Sequence, residues 1–304
     1  MSYAHHLPTA HDACFVRAYA KINLTLDVLD KRADGYHELA TVMQTVDLYD
    51  TICLSASDDE RVQVICTDPA LSGADNLVAR AALAVRQRLT LTRGVVIELH
   101  KRVPVAAGLG GGSSDAAAVL RALRHWWRLP LSEADLFAIA ASLGSDVPFF
   151  LHSGLALCHG RGEQVTQLSP RWPLAMRWLL LLKPAISLST AQVYRDLSSL
   201  DYTDGTHSRA MRAALETGSE PESADLHNCL ERGVLARYPE VARARQAFLQ
   251  AGARLVRLSG SGPTLFAPFA ELAQAAEVQQ KLQAQGYELH LTRPVYPDNE
   301  ITLL

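Results

Sequence analysis

Between an alternating apolar stretch (Val95, Ile97, Leu99) and an alanine-rich run (Ala116 to Leu120), the chain passes through Pro104-Val105-Ala106-Ala107-Gly108-Leu109-Gly110-Gly111-Gly112-Ser113-Ser114-Asp115. Four glycines in five residues strip the backbone of side chains and expose its N–H groups, and hydroxyls follow where a helix should begin. Such an arrangement cradles an anion, and the helix dipole adds about half a positive charge at that end. Phosphate is the guest this chemistry favours. A plainer reading keeps a flexible loop with Ser113 or Ser114 as an ordinary N-cap and the helix over 114–127. Two nucleotide-binding frames fail here: no Lys follows the glycines as a Walker loop requires, and Ser113 stands where the third Gly or Ala of G-x-G-x-x-G belongs.

The chain has 304 residues, which sets a prior of about two domains. Its 48% apolar and 20% charged content is ordinary globular usage and excludes fibrous and disordered classes. With 29 basic against 32 acidic residues, nothing global suits nucleic acid or an anionic membrane. The apolar run Trp178 to Leu182 is far too short to span a bilayer and reads as a buried strand. Residues 1–6 show no secretory signal, so a cytoplasmic location is expected. Cys14, Cys53, Cys66, Cys158 and Cys229 are irregularly spaced, as buried reduced thiols would be. His37-Glu38 begins an HExxH pattern that Thr41 breaks, and the other histidines are scattered, so no protein-built metal site is expected.

Periodicity predicts strands near 15–29, 39–54, 61–66 and 94–103 and helices near 76–89, 114–127 and 133–143. Ser132 and Asp135 form a plausible capping box, and Gly144 a stop. A strand pair over 154–168 follows, divided at Arg161-Gly162, then a strand at 177–183 and helices from about 190. The stretch 201–225 is loop-like, around one short apolar segment, and reads as an insertion. The ending alternates helix 239–251, strands 253–258 and 264–268, helix 271–285 and strand 287–292, a split βαβ, ferredoxin-like unit. Two α+β domains, 1–165 and 166–304, are expected, with the last residues free to return to the first domain.

Four further segments carry candidate chemistry. In Ala20-Lys21-Ile22-Asn23-Leu24, apolar residues hold the even positions, so Lys21 and Asn23 share one strand face about 7 Å apart. By pattern alone that face is a solvated one. Beyond it, the turn Arg32-Ala33-Asp34-Gly35-Tyr36-His37 presents a phenol and an imidazole together, a pair able to stack on and hydrogen-bond a nucleobase. In Gly144-Ser145-Asp146-Val147-Pro148, Asp146 is either a helix N-cap or a carboxylate aimed at a substrate hydroxyl. Lastly, Leu258-Ser259-Gly260-Ser261-Gly262-Pro263 is a second Gly/Ser loop without the G-x-S-x-G frame of a hydrolase; a hairpin turn is its plain reading.

Taken together these segments resemble the three motifs of the GHMP kinase superfamily: the Lys21 strand, Pro104 to Ser114, and Leu258 to Pro263, in that order. The Tyr36-His37 turn and the Asp146 segment resemble the branch whose substrate is a cytidine-diphosphate-linked methylerythritol. The resemblance covers the chain from about Phe15 and implies a two-domain α+β GHMP kinase fold, with a ribosomal protein S5 domain 2-like N-terminal half and a ferredoxin-like C-terminal half. It implies ATP-dependent phosphorylation of the 2-hydroxyl of that substrate, a step of non-mevalonate isoprenoid precursor synthesis, with Mg²⁺ on the ATP phosphates. By the same resemblance Asp146 is the base, Lys21 its cationic partner and Asn23 a substrate-orienting residue. The loop Pro104 to Ser114 wraps the ATP phosphates, and Ser259, Gly260, Ser261 and Gly262 form the third motif. Tyr36 and His37 meet the cytosine, with Thr190 and Tyr194 supplying the opposite wall. The expected partner is a small molecule, with no nucleic acid and no membrane, and the chain is expected to be a monomer or weak homodimer. A GHMP kinase for homoserine or a mevalonate derivative is the nearest alternative, since it has the glycine loop but no use for a base-stacking pair. A non-catalytic protein of that fold and a dinucleotide-dependent oxidoreductase are more distant ones.

Overall fold

The computed structural model describes residues 13–169, 171–221, 224–296 and 301–303; the extension bearing His5, His6 and His11 lies outside the described residues. The first half runs β1 (Ala13–Asn23), β2 (Asp27–Lys31), β3 (His37–Ala56), β4 (Val62–Cys66), α1 (Leu77–Leu89), β5 (Val95–His100), α2 (Gly111–Trp126), α3 (Glu133–Leu143), α4 (Val147–His152), β6 (Leu155–Gly160) and β7 (Gln164–Gln167). The second runs β8 (Trp178–Lys183), α5 (Thr190–Arg195), α6 (Thr206–Thr217), α7 (Glu231–Arg237), α8 (Pro239–Ala251), β9 (Arg257–Leu258), β10 (Leu265–Phe269), α9 (Leu272–Gln283), β11 (Glu288–Thr292) and β12 (Ile301–Leu303).

The long strand β3 organises the first sheet. Over Thr51 to Ala56 it lies between β1 and β5, while its first part pairs with β2 and β6, which carries β7 on its other side. All these pairs are antiparallel; β4 joins β5 in parallel, with α1 as the crossover. Against this sheet α2 buries Ala116 to Leu120 completely, because its small residues let helix and sheet approach closely. The second sheet has the order β11-β8-β10-β9, all antiparallel, which is the ferredoxin-like arrangement of four strands. Its central strand is the Leu179 to Leu182 run, fully buried on both faces. The first sheet's β7 ends at Gln167 and the second sheet begins at Trp178; β12 then lies antiparallel to β1, with Val16 opposite Ile301.

Four sequence expectations are corrected. Helix α2 begins at Gly111, not 114, because Gly110 takes the left-handed N-cap conformation (φ 71°); Ser113 and Ser114 sit in the first turn and cap nothing. The 201–225 stretch contains α6, bracketed by left-handed Gly205 and Gly218, and the spacing of Met211 and Leu215 buries one face of it. Strand β9 shrinks to two residues. Lys21 and Asn23 face no solvent: both are buried, as are Thr25 and Asp27, because the second half of the chain covers that face.

Candidate active site

A cleft of about 1180 Å³ lies between the halves. Strand β1 ends at its floor, where the Lys21 N–H donates to the Leu109 carbonyl (3.0 Å) and so ties strand to glycine loop. Lys21 Nζ donates to Asn23 Oδ1 (2.6 Å) and stands 3.4 Å from Asp146 Oδ2. Asn23 Nδ2 in turn donates to Thr41 Oγ1 (2.8 Å), whose hydroxyl donates to the Thr25 carbonyl, so the amide is held in one orientation. Asp146 is the N-cap residue of α4 but makes no side-chain cap bond; its carboxylate is turned to Lys21 and left about one-third exposed in the cleft. The plain N-cap reading of Asp146 is thereby corrected.

Close backbone contact explains the glycines. A Cβ on Gly108 (φ 76°) would stand 2.4 Å from the Ser259 carbonyl oxygen, and one on Gly110 would stand 2.7 Å from the Phe150 ring. A Cβ on Gly260 (φ 54°) would meet Asn23 Oδ1 at 3.1 Å and Lys21 Nζ at 3.2 Å. The glycine loop, the Lys21 strand and the second Gly/Ser loop therefore meet at one point. The Ser259 hydroxyl locks it by donating to the Gly108 carbonyl (3.1 Å), and on the second half's side of the cleft the Thr190 and Ser261 hydroxyls share a bond of 2.9 Å.

Pro104 to Gly108, Gly110 to Ser113, Gly260 and Ser261 all line the cleft. Leu109 and Ser114 do not; both are buried beneath it, Leu109 serving through its carbonyl. Ser259 and Gly262 likewise brace the loop from behind.

At the other end, Asp34 holds the β2–β3 turn by accepting from the Tyr36 N–H (3.1 Å) and from Arg32. Tyr36 is 52% exposed, with the Arg161 guanidinium 4.7 Å from its ring centre. His37 lies 5.4 Å from the Tyr194 ring and 6.0 Å, edge-on, from Tyr202. Burial, with Lys31 nearby, lowers the His37 pKa, so its ring is neutral at pH 7 and can both donate and accept. Burial raises that of Tyr194, with the Asp146 carboxylate adding to the effect.

Residues 76–154 match the model of the GHMP kinases N terminal domain and residues 210–288 that of the GHMP kinases C terminal domain. The 4-diphosphocytidyl-2-C-methyl-D-erythritol kinase of Pelotomaculum thermopropionicum is 42% identical over 285 residues, covering 92% of this chain and 97% of its own. That of Alkaliphilus metalliredigens is 39% identical over 281 residues, covering 91% and 95%. A solved 4-(cytidine 5'-diphospho)-2C-methyl-D-erythritol kinase superposes with TM-score 0.76 at 33% identity, covering 92% of this chain and 99% of its own. The chain belongs to the 4-diphosphocytidyl-2-C-methyl-D-erythritol kinase family of GHMP kinases. A homoserine kinase from Cytophaga hutchinsonii also gives TM-score 0.76 but at 18% identity, a likeness of fold alone.

This GHMP kinase also places in its cleft residues that sequence reasoning missed. Lys101 and Asp115 line it beneath the glycine loop. Lys101 Nζ donates to Asp50 (2.5 Å) and Asp115 (2.7 Å), and Asp50 also accepts the backbone N–H groups of Arg102 and Val103, fixing where the loop departs from β5. The buried Asn228 amide donates to the carbonyls of Leu258 (2.9 Å) and Gly260 (2.8 Å) and shapes the third motif from below. Lys101 is a lone lysine three residues before Pro104, and Asp115 closes the glycine segment itself; that adjacency was the available signal. Nothing local in sequence marks Asn228.

Proposed function

We propose that this cleft transfers the γ-phosphoryl group of ATP to the 2-hydroxyl of 4-diphosphocytidyl-2-C-methyl-D-erythritol, a step of the non-mevalonate route to isoprenoid precursors. The observation that carries the reading is Lys21 Nζ, bonded to Asn23 and 3.4 Å from Asp146, at the point where its strand meets the two glycine-bearing loops. Asp146 accepts the proton of the 2-hydroxyl as that oxygen attacks the γ-phosphorus; the bond to the β–γ bridging oxygen breaks and ADP leaves. The Lys21 ammonium offsets negative charge spreading over the moving group, and Asn23 orients the acceptor. Backbone N–H groups from Gly108 to Ser113 hold the ATP phosphates, helped by the amino end of α2.

Asp115 Oδ1 is buried without a hydrogen-bond partner, and with the Ser113 hydroxyl it supplies the hard oxygen ligands Mg²⁺ takes. Those two residues would hold the ion, which neutralises phosphate charge when bound. At the far end Tyr36 stacks on the cytosine, the neutral His37 hydrogen-bonds its edge, and Tyr194 backs His37 with Thr190 nearby. We take the reaction to be cytoplasmic and the unit a monomer or weak homodimer, since one chain supplies every group named; among the described residues no helix is long and apolar enough to cross a membrane.

The test is ADP release with ATP and Mg²⁺ on the cytidine substrate, with homoserine and mevalonate in parallel and the product identified by phosphorus NMR. A 2-phosphate from the cytidine substrate alone is expected. Turnover of homoserine or mevalonate instead would move the chain to another GHMP activity.

A further inference from the structure

Behind the segment that carries Asn228, away from the cleft, three metal-ligating side chains converge. Asp27 at the start of β2, His207 in the first turn of α6 and His227 in the loop before α7 each offer a carboxylate oxygen or ring nitrogen within 4.8 Å of the other two. None of the three lines the cleft. Asp27 is 180 and 200 residues from the two histidines in sequence, and each of the three is held. Both Asp27 oxygens are fixed, one by the Thr203 hydroxyl (2.7 Å) and one by the Ser208 N–H (2.8 Å) and hydroxyl (2.6 Å), with lone pairs to spare. His207 donates its Nδ1–H to the Ala224 carbonyl (3.0 Å), so Nε2 keeps its lone pair; a backbone carbonyl on the other nitrogen is how metal-bound histidines are commonly oriented. Cys229 Sγ lies 3.6 Å from His227 Nε2, so a soft donor borders the cluster.

We propose that Asp27, His207 and His227 form a Zn²⁺ site, with the fourth position open to water. Two imidazoles and one carboxylate suit Zn²⁺, and the bordering thiol disfavours the hard ions Mg²⁺ and Ca²⁺. Tetrahedral bonds of about 2.1 Å separate ligand atoms by about 3.4 Å, so the three groups have to close by no more than about 1.4 Å. The rings of His207 and His227 now stack at 3.9 Å and 16°, and metal capture splays them. Both rings are part-exposed, which leaves a path of entry.

The ion ties β2, α6 and the 227–229 segment together. That segment already bridges to Leu26, the residue before β2, through the Leu26 N–H to the His227 carbonyl (2.7 Å) and the Cys229 N–H to the Leu26 carbonyl (2.9 Å). Asn228, between the two, supports the Gly260 loop, so the metal steadies the third motif from a distance.

The test is metal uptake by the EDTA-treated full chain without nucleotide, by calorimetry with Zn²⁺ and visible absorption with Co²⁺. One tight equivalent is expected, with a Tm that climbs with the logarithm of Zn²⁺ concentration. His207→Ala and His227→Ala should each abolish that equivalent, while replacing His5, His6 and His11 by Ala should leave it. Should either Ala variant fail to fold, imidazole ¹⁵N spectra of the unsubstituted protein decide: Zn²⁺ must shift the His207 and His227 rings. No stoichiometric uptake overturns the site, and so does uptake that follows the three N-terminal histidines or leaves those two rings unmoved.

Discussion

The two ends of the cleft are built from different material. At the end proposed for phosphate the groups on offer are backbone N–H groups, and glycines at 108, 110 and 260 let three chain segments approach where a Cβ would collide or crowd. At the end proposed for the cytosine the groups on offer are side chains, Tyr36 from the β2–β3 turn, His37 at the start of β3 and Tyr194 from α5, with Tyr36 largely open to solvent. A site made of main chain is stiff, and one added atom disrupts it. A site made of side chains gives way in increments, each residue contributing its own share.

Asp146 stands between the ends, and its removal is the largest effect expected. Asp146→Asn keeps the size and loses the base, so kcat should fall by about 10²- to 10⁴-fold while ATP affinity changes little. Single-turnover kinetics with ATP binding measured alongside would check it; an unchanged kcat removes Asp146 from the mechanism.

The stiffness of the phosphate end is tested by two of its glycines, one in the loop and one in the first turn of α2. Gly108→Ala places its Cβ 2.4 Å from the Ser259 carbonyl at a positive φ and should cost about 3 kcal/mol of stability along with ATP binding. Gly112→Ala meets only Leu77 Cδ1 at 3.6 Å and should cost under about 0.5 kcal/mol. Denaturant midpoints of the pair check the difference; equal values would mean the loop is not held by its contact with Ser259. At the base end, Tyr36→Ala should raise the KM for the cytidine substrate roughly tenfold, as loss of one base–aromatic stack does, with the KM for ATP unmoved. A matching rise in both would break the division between the ends.

That division also governs how much the sequence disclosed. Backbone-built features are local, and local features leave local marks: the Asp34-Gly35 turn and the Ser132–Asp135 capping box read directly and fold as read, and the glycines from 108 to 112 marked their segment though not where its helix begins. The period of two in β1 identified the strand and the shared face of Lys21 and Asn23, but not that this face is buried, because what covers it comes from the distant second half. For the same reason Asn228 and the meeting of Asp27 with His207 and His227 were invisible: each depends on chain segments far apart in sequence. Helix α6 was lost among turn-forming neighbours, since a short amphipathic run says little until a sheet is there to receive it. The start of α2 was misplaced by three residues because glycine is a poor helix former, and Gly111 and Gly112 are helical only through the packing around them.

The phosphate end has one component built from side chains, the buried group of Lys101, Asp50 and Asp115, and it yields a prediction of pH dependence. One ammonium cannot balance two carboxylates. Asp50 accepts two backbone N–H groups as well as Lys101, whereas Asp115 Oδ1 has no donor. Burial pushes the Asp115 carboxyl up to about 8, with Asp50 adding to the rise and Lys101 opposing it. In the unfolded chain the group titrates near 4, so between about 4 and 8 the folded state holds a proton that the unfolded state has released. Stability from this group is therefore present at low pH and lost as pH rises toward 8. Asp115→Asn removes the titration, so in EDTA and without nucleotide its stability relative to the parent should improve from pH 5 to pH 8. Denaturation curves at the two pH values measure it. A difference that does not move with pH would mean Asp115 is ionised throughout, leaving Lys101 facing two full charges and the phosphate end more acidic than its hydrogen bonds imply.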